Sequence, residues 1–202
     1  MTRHITLRAL LSVAFLLVAA CSHTPQAPEP IPNTEGNAAI SAWQLSGKLG
    51  LRSEGKAHSG YLNWQQCGDD YRIRVSGPLG QGAASLAGNS FRATLRSRNS
   101  EVTASNPEQL LQQQLGWSIP VAQLQYWIRG IPAPNQNYRL IEEQLQQAGW
   151  LLSYRRWQQV DQYQLPAKMT ATHPRAKVTL IIKDWQLDTD CKPSTASIDT
   201  NR

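Results

Sequence analysis

The stretch Trp43-Gln44-Leu45-Ser46-Gly47-Lys48-Leu49-Gly50-Leu51-Arg52-Ser53 carries the clearest structural pattern in the chain. From Trp43 to Leu51 every odd position is apolar or glycine, and every even position is polar or glycine. A period of two predicts a β-strand that buries one face and leaves the other in water. The inward side chains of this strand include Trp43, Leu45 and Leu49.

The same alternation continues downstream of this strand. In KAHSGYLNWQQ, residues 56–66, Gly60, Leu62 and Trp64 share one face. Shorter strand patterns follow in YRIRVS, GAASLAGNS, FRATLRS and EVTAS. Turn signals recur about every eight to twelve residues, which is typical of a closed or curled antiparallel sheet.

Two helices interrupt the strands. Asn106-Pro107-Glu108-Gln109 combines a capping residue, a proline at the first helical position and a glutamine three residues after the cap. Gly116 predicts the end of this helix. A second helix is predicted from about Pro120 to Arg129, with Gly130 as its stop, and a loop follows at 131–137.

Strand patterning returns after the helices in GWLLSYRRWQQV, LPAKMTATH and AKVTLIIKDWQL. In the last of these, Val178, Leu180 and Ile182 face one way and lysines and threonine the other. The chain is therefore predicted to be α+β and mostly antiparallel β, with the helices free to cover one open end or face of the sheet.

The N-terminal residues read as a targeting segment. Arg3 and Arg8 precede an apolar run of the kind found in secretory signals, too short to span a bilayer as a mature helix. The run ends in Ala20-Cys21, which resembles the bacterial lipobox. That resemblance implies cleavage after residue 20 and acylation of Cys21, and Ser22 after it implies export to the outer membrane.

The predicted organisation is a signal peptide at 1–20, a lipidated flexible tether at 21–39, one domain at 40–188 and a flexible tail at 189–202. The tether is polar and rich in proline. Cys67 and Cys191 remain as thiols in the mature chain. The periplasm permits a disulfide between them, but the sequence alone leaves their pairing open.

Charge and motifs exclude several function classes. The formal charge is +6, and removing residues 1–20 removes two arginines and leaves +4. The basic residues are scattered, so no nucleic-acid partner is predicted, and the surface could meet an acidic partner, anionic lipid or water alone. The sequence has no HExxH, CxxC or GxSxG motif, so we expect no catalytic residue, metal or cofactor.

The segment VSGPLGQG, residues 75–82, places a lone leucine, Leu79, between Pro78 and Gly80. Its glycines suggest a phosphate-binding loop, but no helical pattern follows and Ser85 stands where the third glycine would be. A loop between two strands is the better interpretation. Leu79 is then either a loop residue without a specific role or an apolar side chain at the tip of the loop that contacts another surface.

Taken in order behind the lipobox, WQLSGKLGLRS, NWQQ, YRIRVSGPLGQG, LGWSIPVAQLQYWIRGIP and LIIKDW resemble the LolB family, from Cys21 to about Leu187. The resemblance implies an incomplete, half-open β-barrel with an α-helical lid enclosing an apolar cavity for acyl chains. It implies a monomer that receives triacylated lipoproteins from a LolA-like periplasmic carrier and inserts them into the outer membrane without catalysis. Cys67, Cys191 and the tail beyond Asp188 fall outside the family pattern.

The resemblance also assigns roles to residues. Leu79, framed by Pro78 and Gly80, would be the membrane-insertion loop, and Cys21 the lipid anchor on the periplasmic face of the outer membrane. The candidate cavity and lid residues are Trp43, Leu45, Leu49, Leu62, Trp64, Trp117, Leu124, Trp127 and Ile128. The alternatives are a lipoprotein that binds lipid or a small apolar ligand without protein cargo, and a structural lipoprotein whose seven tryptophans are all core.

Overall fold

A computed structural model describes residues 27–80, 82–189 and 191. The predicted signal peptide, Cys21 and most of the tail lie outside these residues. The strands are β1 (Ala42–Ser53), β2 (Lys56–Cys67), β3 (Asp70–Ser76), β4 (Ala84–Gly88), β5 (Ala93–Arg96), β6 (Glu101–Ala104), β7 (Tyr138–Ile141), β8 (Gln144–Gln147), β9 (Trp150–Val160), β10 (Tyr163–His173) and β11 (Ala176–Leu187). The helices are α1 (Pro107–Leu115) and α2 (Val121–Trp127), with 3-10 turns at Glu35–Ala39 and Pro78–Gly80.

All the strands belong to one antiparallel sheet in the order β6-β5-β4-β3-β2-β1-β11-β10-β9-β8-β7. The sheet does not close, because β6 and β7 stand at its two edges. Strand β1 lies near the middle and pairs with β2 on one side and β11 on the other. An open antiparallel sheet with two helices confirms the predicted half-open barrel with a helical lid.

The alternation in β1 sets the apolar face of the whole sheet. Trp43, Leu45, Leu49 and Leu51 are buried, and so are Val178, Leu180 and Ile182 of β11. The register places Leu49 opposite Leu180, so the apolar side chains of neighbouring strands meet on one face. Gly47 sits at a register shift, where an added Cβ would lie 2.1 Å from the carbonyl oxygen of Ile181.

The helix signals in the sequence are confirmed. The Asn106 side chain accepts a hydrogen bond of 2.8 Å from the Gln109 amide, Pro107 opens α1, and Gly116 ends it with φ of 70°. Helix α1 packs on β5 and β6 through its buried Leu110 and Leu111. Helix α2 is slightly shorter than predicted.

Two short strands, β7 and β8, lie in a segment to which the sequence pattern assigned no strand. Every residue of β7 is exposed, so this edge strand lacks the apolar alternation that marks the others. Glu142 and Glu143 connect the two strands with φ of 44° and 63°. The turn is therefore made by two acidic residues rather than by the glycine or asparagine that usually signals a hairpin.

The last residues of the segment predicted as a flexible tether, 21–39, are folded onto the domain. Asn37 is buried and donates hydrogen bonds to the carbonyl oxygens of Arg129 (2.7 Å) and Gln164 (2.9 Å). In return, the Arg129 guanidinium donates to the carbonyls of Asn37 (3.1 Å) and Ile40 (2.6 Å). Burial lowers the pKa of Arg129, and these carbonyls stabilise its charge.

A disulfide joins Cys67 at the end of β2 to Cys191, with their Cα atoms 5.5 Å apart. Strand β11, which precedes Cys191, pairs with β1, and β1 pairs with β2. The bond therefore ties together the strands on either side of β1.

Reduction of this disulfide is expected to lower the free energy of unfolding. It cross-links residues 124 apart in sequence, and closure of such a loop in the unfolded chain contributes at most about 5 kcal/mol. Urea unfolding with and without reductant measures the difference, and a Cys67→Ser, Cys191→Ser variant should match the reduced protein. Coinciding unfolding midpoints in all three samples would show that the bond contributes nothing.

The buried side chain of Gln147 connects three parts of the fold. Its Oε1 accepts from Trp127 Nε1 (2.7 Å) and from the Ala133 amide (2.8 Å). Its Nε2 donates to the carbonyls of Ala133 (2.8 Å) and Gln136 (3.1 Å). The end of α2 and the loop after it are thereby held against β8.

Gln147→Leu is expected to destabilise the fold by about 3 kcal/mol or more, because it leaves several buried polar groups unpaired. Thermal or urea unfolding measures the loss. Gln146→Leu is the matched control, since Gln146 is exposed on the same strand. Equal stability of the two variants would contradict the role given to Gln147.

Candidate functional site

An apolar cavity lies between the sheet and the two helices. Its volume is about 50 Å³. Strands β1 to β5 and β11 form the wall, and α1, α2 and their connection form the cover. The lining side chains are all apolar: Leu49, Leu62, Trp64, Ile73, Val75, Ala84, Leu86, Leu95, Leu111, Leu115, Trp117, Ile119, Val121, Leu124, Val178 and Leu180.

A second, wider depression adjoins this cavity and has a volume of about 310 Å³. It is lined by Leu49, His58, Ser59, Val75, Gly77, Gly82, Ala84, Leu115 and Trp117. Five of these residues, Leu49, Val75, Ala84, Leu115 and Trp117, also line the cavity. The depression is therefore the mouth of the cavity, and Gly77 and Gly82 place it beside the loop between β3 and β4.

The loop between β3 and β4 is a tight turn at this mouth. The Gly80 amide donates to the Gly77 carbonyl (3.1 Å), and Gly80 and Gly82 have φ of 74° and 62°. A Cβ added to either glycine would meet no atom within 4 Å. The backbone of Leu79 lies in the 3-10 turn, whereas its side chain and Gln81 are outside the described structure.

The connection between the helices is pinned to the end of β1. Ser53 Oγ donates to the Gly116 carbonyl (2.9 Å) and accepts from the Ser118 amide (3.2 Å). Between them, Trp117 reaches the mouth, with its ring centroid 5.6 Å from that of His58. Trp117 Nε1 is buried with no hydrogen-bond partner among the described residues.

The structure brings together five of the nine candidate cavity residues. Leu49, Leu62, Trp64, Trp117 and Leu124 line the cavity. The other four, Trp43, Leu45, Trp127 and Ile128, lie outside its lining and are almost completely buried.

Trp43 and Leu45 have the inward orientation that the alternation predicts, but they lie nearer the start of β1 than Leu49, the residue of this strand that lines the cavity. The ring of Trp43 packs between those of Trp64 and Trp185, at centroid distances of 5.4 and 5.3 Å. A period of two identifies the buried face of a strand and carries no information on how far along the strand a cavity lies.

Trp127 and Ile128, the predicted lid contacts, are not part of the cavity lining. The Trp127 indole binds Gln147 of β8, and its carbonyl accepts from Tyr154 Oη of β9 at 2.9 Å. The first turns of α2 cover the cavity through Val121 and Leu124, while its end covers β8 and β9. Burial raises the pKa of the Tyr154 hydroxyl, which keeps it protonated as a donor.

Sequence reasoning did not name the other lining residues as site residues. They are Ile73, Val75, Ala84, Leu86, Leu95, Leu111, Leu115, Ile119, Val121, Val178 and Leu180. Most are alternating strand positions or helix-stripe leucines, so their burial was predictable. Whether they line the same cavity depends on which strands lie next to β1. The sequence pattern does not determine that order of strands.

Within 27–80, 82–189 and 191, no group of three or more His, Cys, Asp or Glu side chains could hold a metal ion. In the same part of the chain, no helix has both the length and the hydrophobicity needed to cross a membrane.

Comparison with known proteins agrees with this architecture. The family model described as outer membrane lipoprotein LolB matches residues 41–185. The outer-membrane lipoprotein LolB of Marinomonas sp. (strain MWYL1) is 40% identical over 191 residues, covering 90% of this chain and 99% of that protein. The LolB of Chromohalobacter salexigens is 36% identical over 193 residues, covering 88% and 89%.

Among solved structures, a LolA superfamily protein from Nitrosomonas europaea superposes with a TM-score of 0.51. The match covers 80% of this chain and 94% of the other, at 8% sequence identity, so it shows a shared fold alone. The family model and the two relatives each span most of the chain. The chain belongs to the LolB family of outer-membrane lipoproteins.

Proposed function

We propose that this protein accepts lipoproteins from a LolA-like periplasmic carrier and inserts them into the outer membrane. It does so by holding their acyl chains in the apolar cavity. The observation that carries the proposal is the continuity between cavity and mouth, because five residues line both and the mouth lies beside the loop that holds Leu79. The match to the LolB family model, the names of the relatives and the shared fold support the same proposal.

Acyl chains need such a cavity in the periplasm. Each buried methylene contributes roughly 0.8 kcal/mol, so a chain of about fifteen carbons costs on the order of 12 kcal/mol to expose to water. Transfer from one apolar cavity to another avoids this cost. No covalent step is required if the receiving cavity, and then the bilayer, bind the chains more tightly than the carrier does.

The cavity must widen to receive an acyl chain. A volume of about 50 Å³ holds only a few water-sized spheres. Four lining residues, Leu111, Leu115, Val121 and Leu124, belong to the two helices. We infer that these helices move away from the sheet as cargo enters, while the bonds of Ser53 hold their connection in place.

Cys21 and Leu79 connect the protein with the membrane in this proposal. Acylated Cys21 anchors the chain on the periplasmic face of the outer membrane. The Leu79 loop touches the bilayer as cargo leaves the mouth. Burial of one leucine contributes about 1.5–3 kcal/mol, which is too little to anchor a protein but enough to bias a loop into the interface.

Ala84→Trp is expected to reduce lipoprotein uptake at least about tenfold, because the indole would fill the passage between mouth and cavity. Ala84 is the smallest side chain among those that line both. The measurement is transfer of a labelled lipoprotein from purified carrier to this protein.

Ala87→Trp is the matched control, because Ala87 lies on the same strand and pairs with Arg72 and Thr94 on the other face of the sheet. Equal uptake by the two variants, at equal thermal stability, would contradict the proposed route. Fatty-acid binding without any uptake of lipoprotein by the unmodified protein would favour the alternative of a lipid-binding lipoprotein.

Leu79→Glu is expected to leave uptake from the carrier intact and to abolish release of cargo into liposomes, because a carboxylate at the tip opposes entry into the bilayer. Phe91→Glu is the control, since Phe91 is 82% exposed in a hairpin turn at the opposite end of the sheet. Normal insertion by the Leu79→Glu variant, or equal loss in both, would remove the loop from the mechanism.

A further inference from the structure

The end of the sheet that carries the mouth also carries a cluster of cations. Arg52 is the last residue but one of β1, Lys56 begins β2, Arg175 lies in the turn between β10 and β11, and Lys177 is the second residue of β11. All four side chains are exposed. We call these four residues the basic rim.

The two hairpin turns of the basic rim are neighbours. The Glu54 amide donates to the Arg175 carbonyl at 3.4 Å, which brings the β1–β2 turn against the β10–β11 turn. His58 and Ser59, just after Lys56, line the mouth together with Gly77 and Gly82 of the Leu79 loop. The loop, the mouth and the basic rim therefore lie at one end of the molecule.

Arg52 and Lys177 stand directly opposite each other in the β1–β11 pair. Like charges opposite one another across an antiparallel pair are destabilising. The ion pair Arg96–Glu101 lies elsewhere in the described residues and involves neither Arg52 nor Lys177. Glu54, the acid of the β1–β2 turn, accepts instead from Gln112 of α1.

The far end of the sheet carries several carboxylates. Asp69 lies in the β2–β3 turn, Asp161 in the β9–β10 turn and Asp188 just after β11. The four cations of the basic rim therefore outnumber Glu54 at the mouth, whereas these three carboxylates outnumber Arg92, the cation of the β4–β5 turn, at the far end. A surface of anions facing the mouth would be attracted to one end and repelled from the other.

We propose that the basic rim binds the phosphate groups of anionic phospholipids and so orients the mouth and the Leu79 loop toward the bilayer. This inference rests on the proposed function, since it names the surface that the insertion step meets. Repulsion between Arg52 and Lys177, unfavourable in the free protein, is relieved when lipid phosphates lie beside them. The lipid anchor at Cys21 limits the distance of the domain from the membrane but does not set the orientation of the domain.

The test uses residues 22–202, which contain every contact described above but lack the anchor cysteine. Its binding to vesicles of phosphatidylethanolamine, with and without phosphatidylglycerol, is measured by flotation at low and high salt. The rim variant is Arg52→Gln, Arg175→Gln, Lys177→Gln. The matched control removes the same charges away from the mouth: Arg72→Gln, Arg92→Gln, Lys183→Gln.

The unmodified chain should bind the vesicles that contain phosphatidylglycerol and dissociate at high salt. Each cation near an anionic surface changes binding about fivefold, so the rim variant should bind roughly 100-fold more weakly. The control should retain binding within a few-fold. Equal loss in both variants, or no binding by the unmodified chain, would overturn the inference.

Two further measurements distinguish failure of the lipid-binding inference from failure of the proposed function. The unfolding temperature of the rim variant should equal or exceed that of the unmodified chain, because a like-charge pair is removed; a lower temperature would contradict the repulsion on which the inference rests. Uptake of labelled lipoprotein from the carrier, with no vesicles present, should be unchanged in the rim variant. Loss of uptake would assign the rim to an acidic carrier surface, whereas no uptake by the unmodified chain would contradict the proposed function itself.

Discussion

The fold depends on one constraint, which is that an open sheet with an apolar face must cover that face with something else. Strand β1 places its apolar side chains in register with those of β2 and β11, so the apolar surface is continuous across the middle of the sheet. Because β6 and β7 do not pair, the sheet cannot bury this surface by closing. Two short helices provide the cover, and the space between helices and sheet is the cavity.

The two halves of the sheet differ in what lies beneath the helices. Over β8 to β10 the interior is filled by side chains such as Tyr154, Leu165 and Met169, and the end of α2 is held there through Gln147. Over β1 to β5 the interior retains a cavity with a mouth beside the Leu79 loop. We infer that one side maintains the fold while the other can open, which is the division of stability that a binding site requires.

Much of the fold was predictable, because local physics determines it. Alternation identified the long strands, and Asn106, Pro107 and Gly116 marked the bounds of α1. Strands β7 and β8 were missed because an exposed edge strand buries too little to leave a pattern. The packing of Asn37 around Arg129 was missed because those two residues are 92 apart in sequence. The cavity lining was predicted only in part. Trp43, Leu45 and Leu49 of β1 all face inward, but only Leu49 among them lines the cavity.

In the proposed function, the acyl chains of the cargo occupy the cavity beneath α1 and α2. The most direct measurement is photo-crosslinking with a photoreactive leucine analogue at Leu86, which lines the cavity, or at Leu45, which is equally apolar and buried outside it. Loaded with an acylated lipoprotein from the carrier, the protein should form crosslinks to the acyl chains from position 86 and none from position 45. Crosslinks from position 45 alone, or from neither position in loaded protein, would contradict the account.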